Sequence, residues 1–391
     1  MIKPSGLEGL ARKKQVAQAI ASLMDEEAVK RAGRDPHARR PPRPCGLTVH
    51  PGRGCPNACL YCYVGDLLGT GPAEPIPTRL SGLELAYALA RNPFFVPGRM
   101  GTFLAMGAIC DPFHPSLARK TLDILSAVAE HLGNPTQFST KMRLTPELVD
   151  ELPKELPISP LITIVTLERA GELEPRAPPP EERLETIRLL RKAGFKPMLF
   201  LRPMLPGLVE KEADDLLSEA RQAGALGVVV GALRVSELIL ARLAKIGLDR
   251  PVRARLRGKR VPAGRLVAVP SSDLREFVLS AAREKGLLAF RAACCANAFC
   301  AGVPCADLCW LRGFCTRCPN DCPSKVPEVG EDEVAEALRA AYGLHAAEVR
   351  VEPDRLIVHV HGKGRLPRGL MRAARKALEV AARRPTVLRA V

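Results

Sequence analysis

From about residue 45 to residue 247, short apolar runs alternate six times with stretches of helical periodicity. The runs are 47–49, 102–109, 137–140, 161–167, 197–201 and 227–233. The helical stretches between and after them are 81–91, 116–132, 145–152, 180–193, 211–223 and 236–246. Runs this short suit buried strands, and the intervening stretches are long enough to cross back over a sheet. The alternation predicts an α/β fold: a parallel sheet with outer helices, open or closed as a partial barrel. Sites on such scaffolds gather in the loops at the carboxyl ends of the strands.

The loop after the first run reads Gly54-Cys55-Pro56-Asn57-Ala58-Cys59-Leu60-Tyr61-Cys62-Tyr63. Its three thiols can turn inward onto one metal centre. A structural zinc takes four protein ligands and a [4Fe–4S] cluster normally takes four cysteines, so three imply an open coordination position. His50 precedes the first cysteine, and no histidine stands just downstream to complete a zinc site. The plain alternative is a buried or zinc-bound cysteine trio.

The C-x3-C-x2-C spacing, with an aromatic before the last cysteine, resembles the cluster-binding signature of radical S-adenosylmethionine (SAM) enzymes. Further motifs follow in order: Tyr61-Cys62-Tyr63, Asp111-Pro112, Thr140-Lys141, and Glu174-Pro175 followed by a helix bearing Arg183. Together they resemble the spore-photoproduct-lyase-like branch of that superfamily, also described as DNA repair photolyase-like, over roughly residues 45–235. The resemblance implies a partial (β/α)6 barrel, a [4Fe–4S] cluster, SAM, and an external reductant such as ferredoxin or flavodoxin. In that family an electron from the cluster cleaves SAM and releases a 5′-deoxyadenosyl radical, which abstracts hydrogen from the substrate. It further implies that Cys55, Cys59 and Cys62 bind the cluster and that Lys141 pairs with the SAM carboxylate. Thr140 and Thr166 would hydrogen-bond its polar groups. Glu174 would accept from ribose hydroxyls, or pair with Arg176 or Arg183. Cys110, Tyr61 and Tyr63 would relay a hydrogen atom, a small buried cysteine being the alternative for Cys110.

A second run places Cys294, Cys295, Cys300, Cys305, Cys309, Cys315, Cys318 and Cys322 within 29 residues. Eight thiolates suit one or two auxiliary [4Fe–4S] clusters, with zinc as the alternative. Their expected role is electron transfer to the first cluster, or substrate binding at an open iron. The N-terminus has no apolar signal core and no apolar run reaches a membrane span, which predicts a cytoplasmic protein. Cysteine clusters there bind metal more often than they form disulfides.

The net charge of +16, from 58 Lys and Arg against 42 Asp and Glu, suits a polyanionic partner such as nucleic acid. Basic residues concentrate at 34–43, at 250–260 and on a helix carrying Arg368, Arg372, Arg375 and Lys376. The first reads as an extended linker or a phosphate-touching arm, the second as a nucleic-acid contact or a solvated hairpin. The third, opened by Gly362-Lys363-Gly364-Arg365, suits phosphate contacts or a solvated face. Four regions are expected: 1–44, an N-terminal helix (7–31) and basic linker; 45–247, the barrel; 248–327, the cysteine-rich extension; and 328–391, a small α+β unit of order α-β-β-α. The sequence thus reads as a radical SAM enzyme acting on nucleic acid, by lyase-like repair or by RNA modification. Two rivals are a peptide- or protein-modifying radical SAM enzyme and a non-catalytic iron–sulfur or zinc nucleic-acid-binding protein.

Overall fold

The structure, a computed structural model, describes residues 6–43, 46–315, 317–362 and 366–391. At its centre all six expected runs become strands: β1 (Leu47–Thr48), β2 (Leu104–Met106), β3 (Thr136–Thr140), β4 (Ile158–Thr163), β5 (Met198–Met204) and β6 (Gly227–Ala232). They pair in chain order, every pair parallel, as a partial barrel. Every residue of β4 is buried, as expected of a strand covered on both faces. Helices Gly82–Arg91, Pro115–His131, Pro146–Asp150, Pro180–Lys192 and Val209–Gln222 make the crossovers. The first opens with a capping box between Ser81 and Glu84.

The sheet does not stop at residue 247. A seventh strand, β7 (Leu288–Phe290), pairs parallel with β6. Helix α1 (Ala293–Ala301) follows it toward the amino ends of the strands. There Asn297 donates to the carbonyls of Leu104 and Pro135, at 3.3 and 3.4 Å, and Arg99 donates to Ala301 at 2.9 Å.

The two ends of the chain meet. The expected helix over 7–31 is two helices, Leu7–Ala21 and Glu26–Arg34. Asp25 caps the second by accepting from the Ala28 amide at 2.7 Å, and that local bond wins over continuation of the first. Leu7 and Leu10 of the first helix enter the apolar core of the C-terminal unit. That unit contains the expected α-β-β-α order, Glu331–Tyr342, Ala346–Val351, Leu356–Val360 and Arg368–Ala382, and adds a strand, Thr386–Ala390, parallel to the second. The basic turn at 363–365 lies outside the described residues.

Two basic segments differ from expectation. Residues 36–38 form a short 3-10 turn, and Asn92 pins the chain by donating to the carbonyls of His37 (2.7 Å) and Arg40 (2.8 Å), so this is not an extended linker. The segment at 250–260 is no hairpin: Asp249–Leu256 is a helix. Arg255 pairs with Asp273 at 2.8 Å and Glu210 at 3.2 Å, neighbours that the bare run of arginines concealed.

Candidate metal centre and cofactor site

The cysteine loop leaves the carboxyl end of β1 and is sewn to neighbouring strand ends by backbone bonds. The Gly54 amide donates to Ile109 at 3.0 Å, and the Leu60 amide to Leu173 at 2.9 Å. Ala58 sits at φ 53°, a left-handed turn that brings Cys55 and Cys59 round. Arg242, from a distant helix, clamps the loop: it donates to the carbonyls of Leu60 (3.0 Å) and Cys62 (2.7 Å) and pairs bidentately with Asp66. Sequence reasoning missed it, because nothing local marks an arginine 180 residues away as a clamp.

Beneath the loop lies a buried charge network. Glu174 is 1% exposed and binds the Arg183 guanidinium and the Tyr61 hydroxyl, with the Lys141 ammonium 3.8 Å away. Burial opposes the Lys141 charge, but the Glu174 carboxylate beside it favours it, and the Lys141 pKa stands above the ordinary value. Of the alternatives open for Glu174, the structure takes the pairing with Arg183. Burial and the Glu174 carboxylate raise the Tyr61 hydroxyl well above its usual range.

Asp111 organises the next loop. It accepts from the Thr140 hydroxyl at 2.6 Å, the Lys141 amide at 2.8 Å and the Phe113 amide at 3.1 Å. Gly107, at φ +100°, lets the same loop pass the chain at Ser139; a Cβ there would lie 2.6 Å from the Ser139 carbonyl. The Thr166 hydroxyl lies between the Glu212 carboxylate oxygens, at 2.8 and 2.9 Å, and also accepts from the Arg169 amide. Thr140 and Thr166 thus donate their hydroxyl protons to carboxylates of the fold itself. Asp111 and Glu212 were not assigned these roles in advance; the Asp-Pro pair was the available signal for the first.

Cys110 lies against this rim, buried, with the Gly52 amide directed at its sulfur and Asp111 and Cys55 near enough to act on it electrostatically. Burial pushes its thiol up to about 12. Tyr63 donates to the Ala108 carbonyl at 3.2 Å, in the same loop. A cavity of about 660 Å³ opens beside the cysteine loop, lined by Asn57, Glu74, His114, Met142, Arg176 and Glu182 among others.

Burial raises Cys55 to about 11, and raises Cys59 further, so in the bare protein both are thiols. Among the described residues no three His, Cys, Asp or Glu side chains stand close enough together to hold a metal ion. The loop nonetheless supplies the donor chemistry of a three-cysteine iron–sulfur site: three soft sulfurs acting on one another electrostatically, with the Lys141 cation beside Cys59. Residues 49–220 match the Radical SAM superfamily. The barrel is a radical SAM domain. That family implies a [4Fe–4S] cluster and SAM.

Radical SAM folds also appear among solved structures similar to this chain. A spore photoproduct lyase variant with bound SAM and dinucleoside spore photoproduct aligns at TM-score 0.51 and 18% identity, covering 64% of this chain and 76% of that one. This is a likeness of fold. An uncharacterized protein of Mycobacterium tuberculosis strain H37Rv is 28% identical over 204 residues, 49% of this chain and 60% of its own length. An uncharacterized protein of Acidianus two-tailed virus is 26% identical over 211 residues, 50% of this chain and 62% of its own. The chain spans about 60% of the length of these curated relatives. Among the described residues no helix is long and apolar enough to cross a membrane.

The second cysteine run lies outside the radical SAM match, and Cys300 stands apart from the rest of it. The Cys300 sulfur lies 3.9 Å from the Lys196 carbonyl, just before β5. Eight thiols for two complete clusters therefore become seven, because Cys300 turns toward the Lys196 carbonyl while Cys294 and Cys295 face the other cysteines.

Proposed function

We propose that this chain is a radical SAM enzyme with a nucleic-acid substrate. The observation that carries the enzymatic reading is the meeting, at the carboxyl rim, of the Cys55–Cys59–Cys62 loop with Lys141, Glu174 and Cys110 beside an open cavity. Cys55, Cys59 and Cys62 would hold the cluster. When bound, cluster and SAM together supply reductive cleavage of the sulfonium and a carbon-centred radical for hydrogen abstraction.

The chain's own residues have separate tasks. Lys141 supplies a held positive charge beside Cys59, suited to a carboxylate of SAM. Arg183 and Tyr61 fix Glu174, which in turn fixes Lys141, so Tyr61 serves as a pillar under the loop. Asp111 sets the height of the Lys141 backbone. Cys110, protonated across the physiological range and close to Cys55, is suited to return a hydrogen atom to a product radical. Tyr63, in the same loop, is its candidate partner.

The nucleic-acid reading is supported by the charge of +16 and by a fold shared with a lyase that holds a dinucleoside. Arg176 and His114 at the cavity mouth suit phosphate, and Asn57 suits a base edge. Two measurements test the proposal. Anaerobic reduction in the presence of SAM should yield 5′-deoxyadenosine, and its absence from iron-loaded protein refutes the enzyme. Single-stranded DNA and tRNA should bind with an affinity that falls linearly on a log–log salt plot, and no binding at low salt refutes the substrate class.

A further inference from the structure

The second cysteine run is built as a site in its own right. Cys305, Cys309, Cys315 and Cys322 pack together with Trp310. Cys294, Cys295 and Cys318 pack with the barrel residues Phe200 and Phe290. The two groups are joined, because Cys294 lies within hydrogen-bonding reach of Cys295 and Cys305, and Cys315 within reach of Cys295 and Cys309. Among the described residues no two cysteines are joined by a disulfide, so disulfide formation does not explain the gathering.

The surroundings suit thiolate sulfur. The fully buried Asn320 donates its amide to Cys322 at 3.1 Å, the Cys305 amide donates to the same sulfur at 3.3 Å, and the Asp307 amide to Cys305 at 3.4 Å. Hydrogen bonds to sulfur of this kind orient and stabilise metal-bound thiolates. Leu308, Arg317 and Asp321 adopt φ of 54°, 53° and 44° between the cysteines. Three non-glycine residues in the left-handed region within one short run mark a chain bent to aim its side chains.

A buried cation completes the picture. Arg383, 1% exposed, donates to the carbonyls of Pro304 (3.1 Å), Gly101 (3.2 Å) and Val380, and lies over the Phe103 ring. Burial lowers its pKa to about 10 and its hydrogen bonds go to neutral acceptors, while Cys305 and Cys322 are the groups that favour its charge. Arg383 also joins three parts of the chain: the C-terminal unit, the cysteine run and the foot of the barrel.

We propose that these seven cysteines, without Cys300, hold a structural metal centre ligated by thiolates, whose negative charge fastens the C-terminal unit through Arg383. Zinc and an iron–sulfur cluster share this chemistry. The centre lies toward the amino ends of the strands, on the order of 20 Å, a strand's length, from the cysteine loop of the carboxyl rim. It serves the architecture and not the substrate, and it does not depend on the radical SAM reading.

The test uses full-length chain with Cys55, Cys59 and Cys62 replaced by Ala, purified anaerobically and analysed for iron, sulfide and zinc. The expected result is retained metal: about four irons with sulfide if the centre is a cluster, or one to two zinc ions if it is not. Adding Cys300→Ala should change nothing, and adding Cys318→Ala with Cys322→Ala should remove the metal. A metal-free triple variant, or loss on Cys300→Ala, overturns the centre. Equal metal in the wild type and the triple variant supports this centre and counts against the cysteine loop. In limited proteolysis of the wild-type chain, chelation and Arg383→Gln should each expose residues 331–391 to cleavage. Protection unchanged after metal removal overturns the fastening.

Discussion

Glu174 holds Arg183, Tyr61 and Lys141 at once, and both it and Arg183 have fully buried side chains. Removing one partner of such a pair leaves an uncompensated buried charge, which costs about 3–5 kcal/mol. Glu174→Ala should therefore lower the melting temperature by several degrees and reduce iron loading, since Tyr61 belongs to the loop. A variant that melts and loads as the wild type does would remove the pillar. Cys110→Ala should leave SAM cleavage intact while changing the product distribution on the true substrate; an unchanged distribution takes Cys110 out of the chemistry. At this scale the sequence showed the residues and hid their partners. Lys141 and Glu174 each carried a motif signal, but that their charges neutralise one another depends on β3 and the end of β4 lying side by side. Cys300 shows the limit most plainly: its spacing is like that of its neighbours, and only the direction of one helix removes it from the thiol group.

Among the elements, the strands were legible because each is a short apolar run with helix on both sides. Leu288–Phe290 was not, since three residues carry no period, and Thr386–Ala390 is mostly exposed and lacks alternating burial. The docking of helix Leu7–Ala21 was also hidden, and it carries two predictions. Gly9 lets this helix lie on the chain at Pro97; a Cβ would sit 2.2 Å from the Pro97 carbonyl, a backbone atom that cannot swing aside. Gly9→Ala should lift the helix and expose the C-terminal unit to protease, although alanine favours helix intrinsically. Intact resistance would show that the backbone there yields. On the same helix Lys13 is buried and donates to the Asn92 carbonyl and, at 2.7 Å, to that of Phe95. Burial lowers its pKa to about 7. The folded value lies below the unfolded one, so the unfolded chain holds the extra proton between about pH 7 and about pH 10.5. Lys13 therefore contributes rising stability across that window, on the order of 4 kcal/mol, and its full penalty stands below it. The difference in melting temperature between wild type and Lys13→Met should shift in favour of the wild type as pH rises from 7 to 10. A pH-independent difference would show that Lys13 stays charged.

The whole molecule separates its basic surfaces by end. The C-terminal helix bearing Arg368, Arg372, Arg375 and Lys376 belongs to the unit fastened near the amino ends of the strands, where Arg383 reaches Gly101. Arg375 and Lys376 there already pair with Glu379. The helix Asp249–Leu256 stands instead near the carboxyl rim, with Pro251 against Gly207, just beyond β5. After it Arg257, Lys259 and Arg260 are exposed. If a nucleic acid places its reacting base in the cavity beside the cysteine loop, its flanking phosphates fall within reach of this rim and not of the far end. Replacing Arg257, Lys259 and Arg260 together by Ala should weaken binding of single-stranded nucleic acid and flatten the log–log salt dependence by about 2, near 0.7 for each phosphate that the protein no longer neutralises. Replacing Arg368 and Arg372 should leave that slope unchanged for an oligonucleotide too short to span the molecule. The reverse pattern would place the nucleic acid on the C-terminal unit, away from the rim, and would separate binding from the site of hydrogen abstraction.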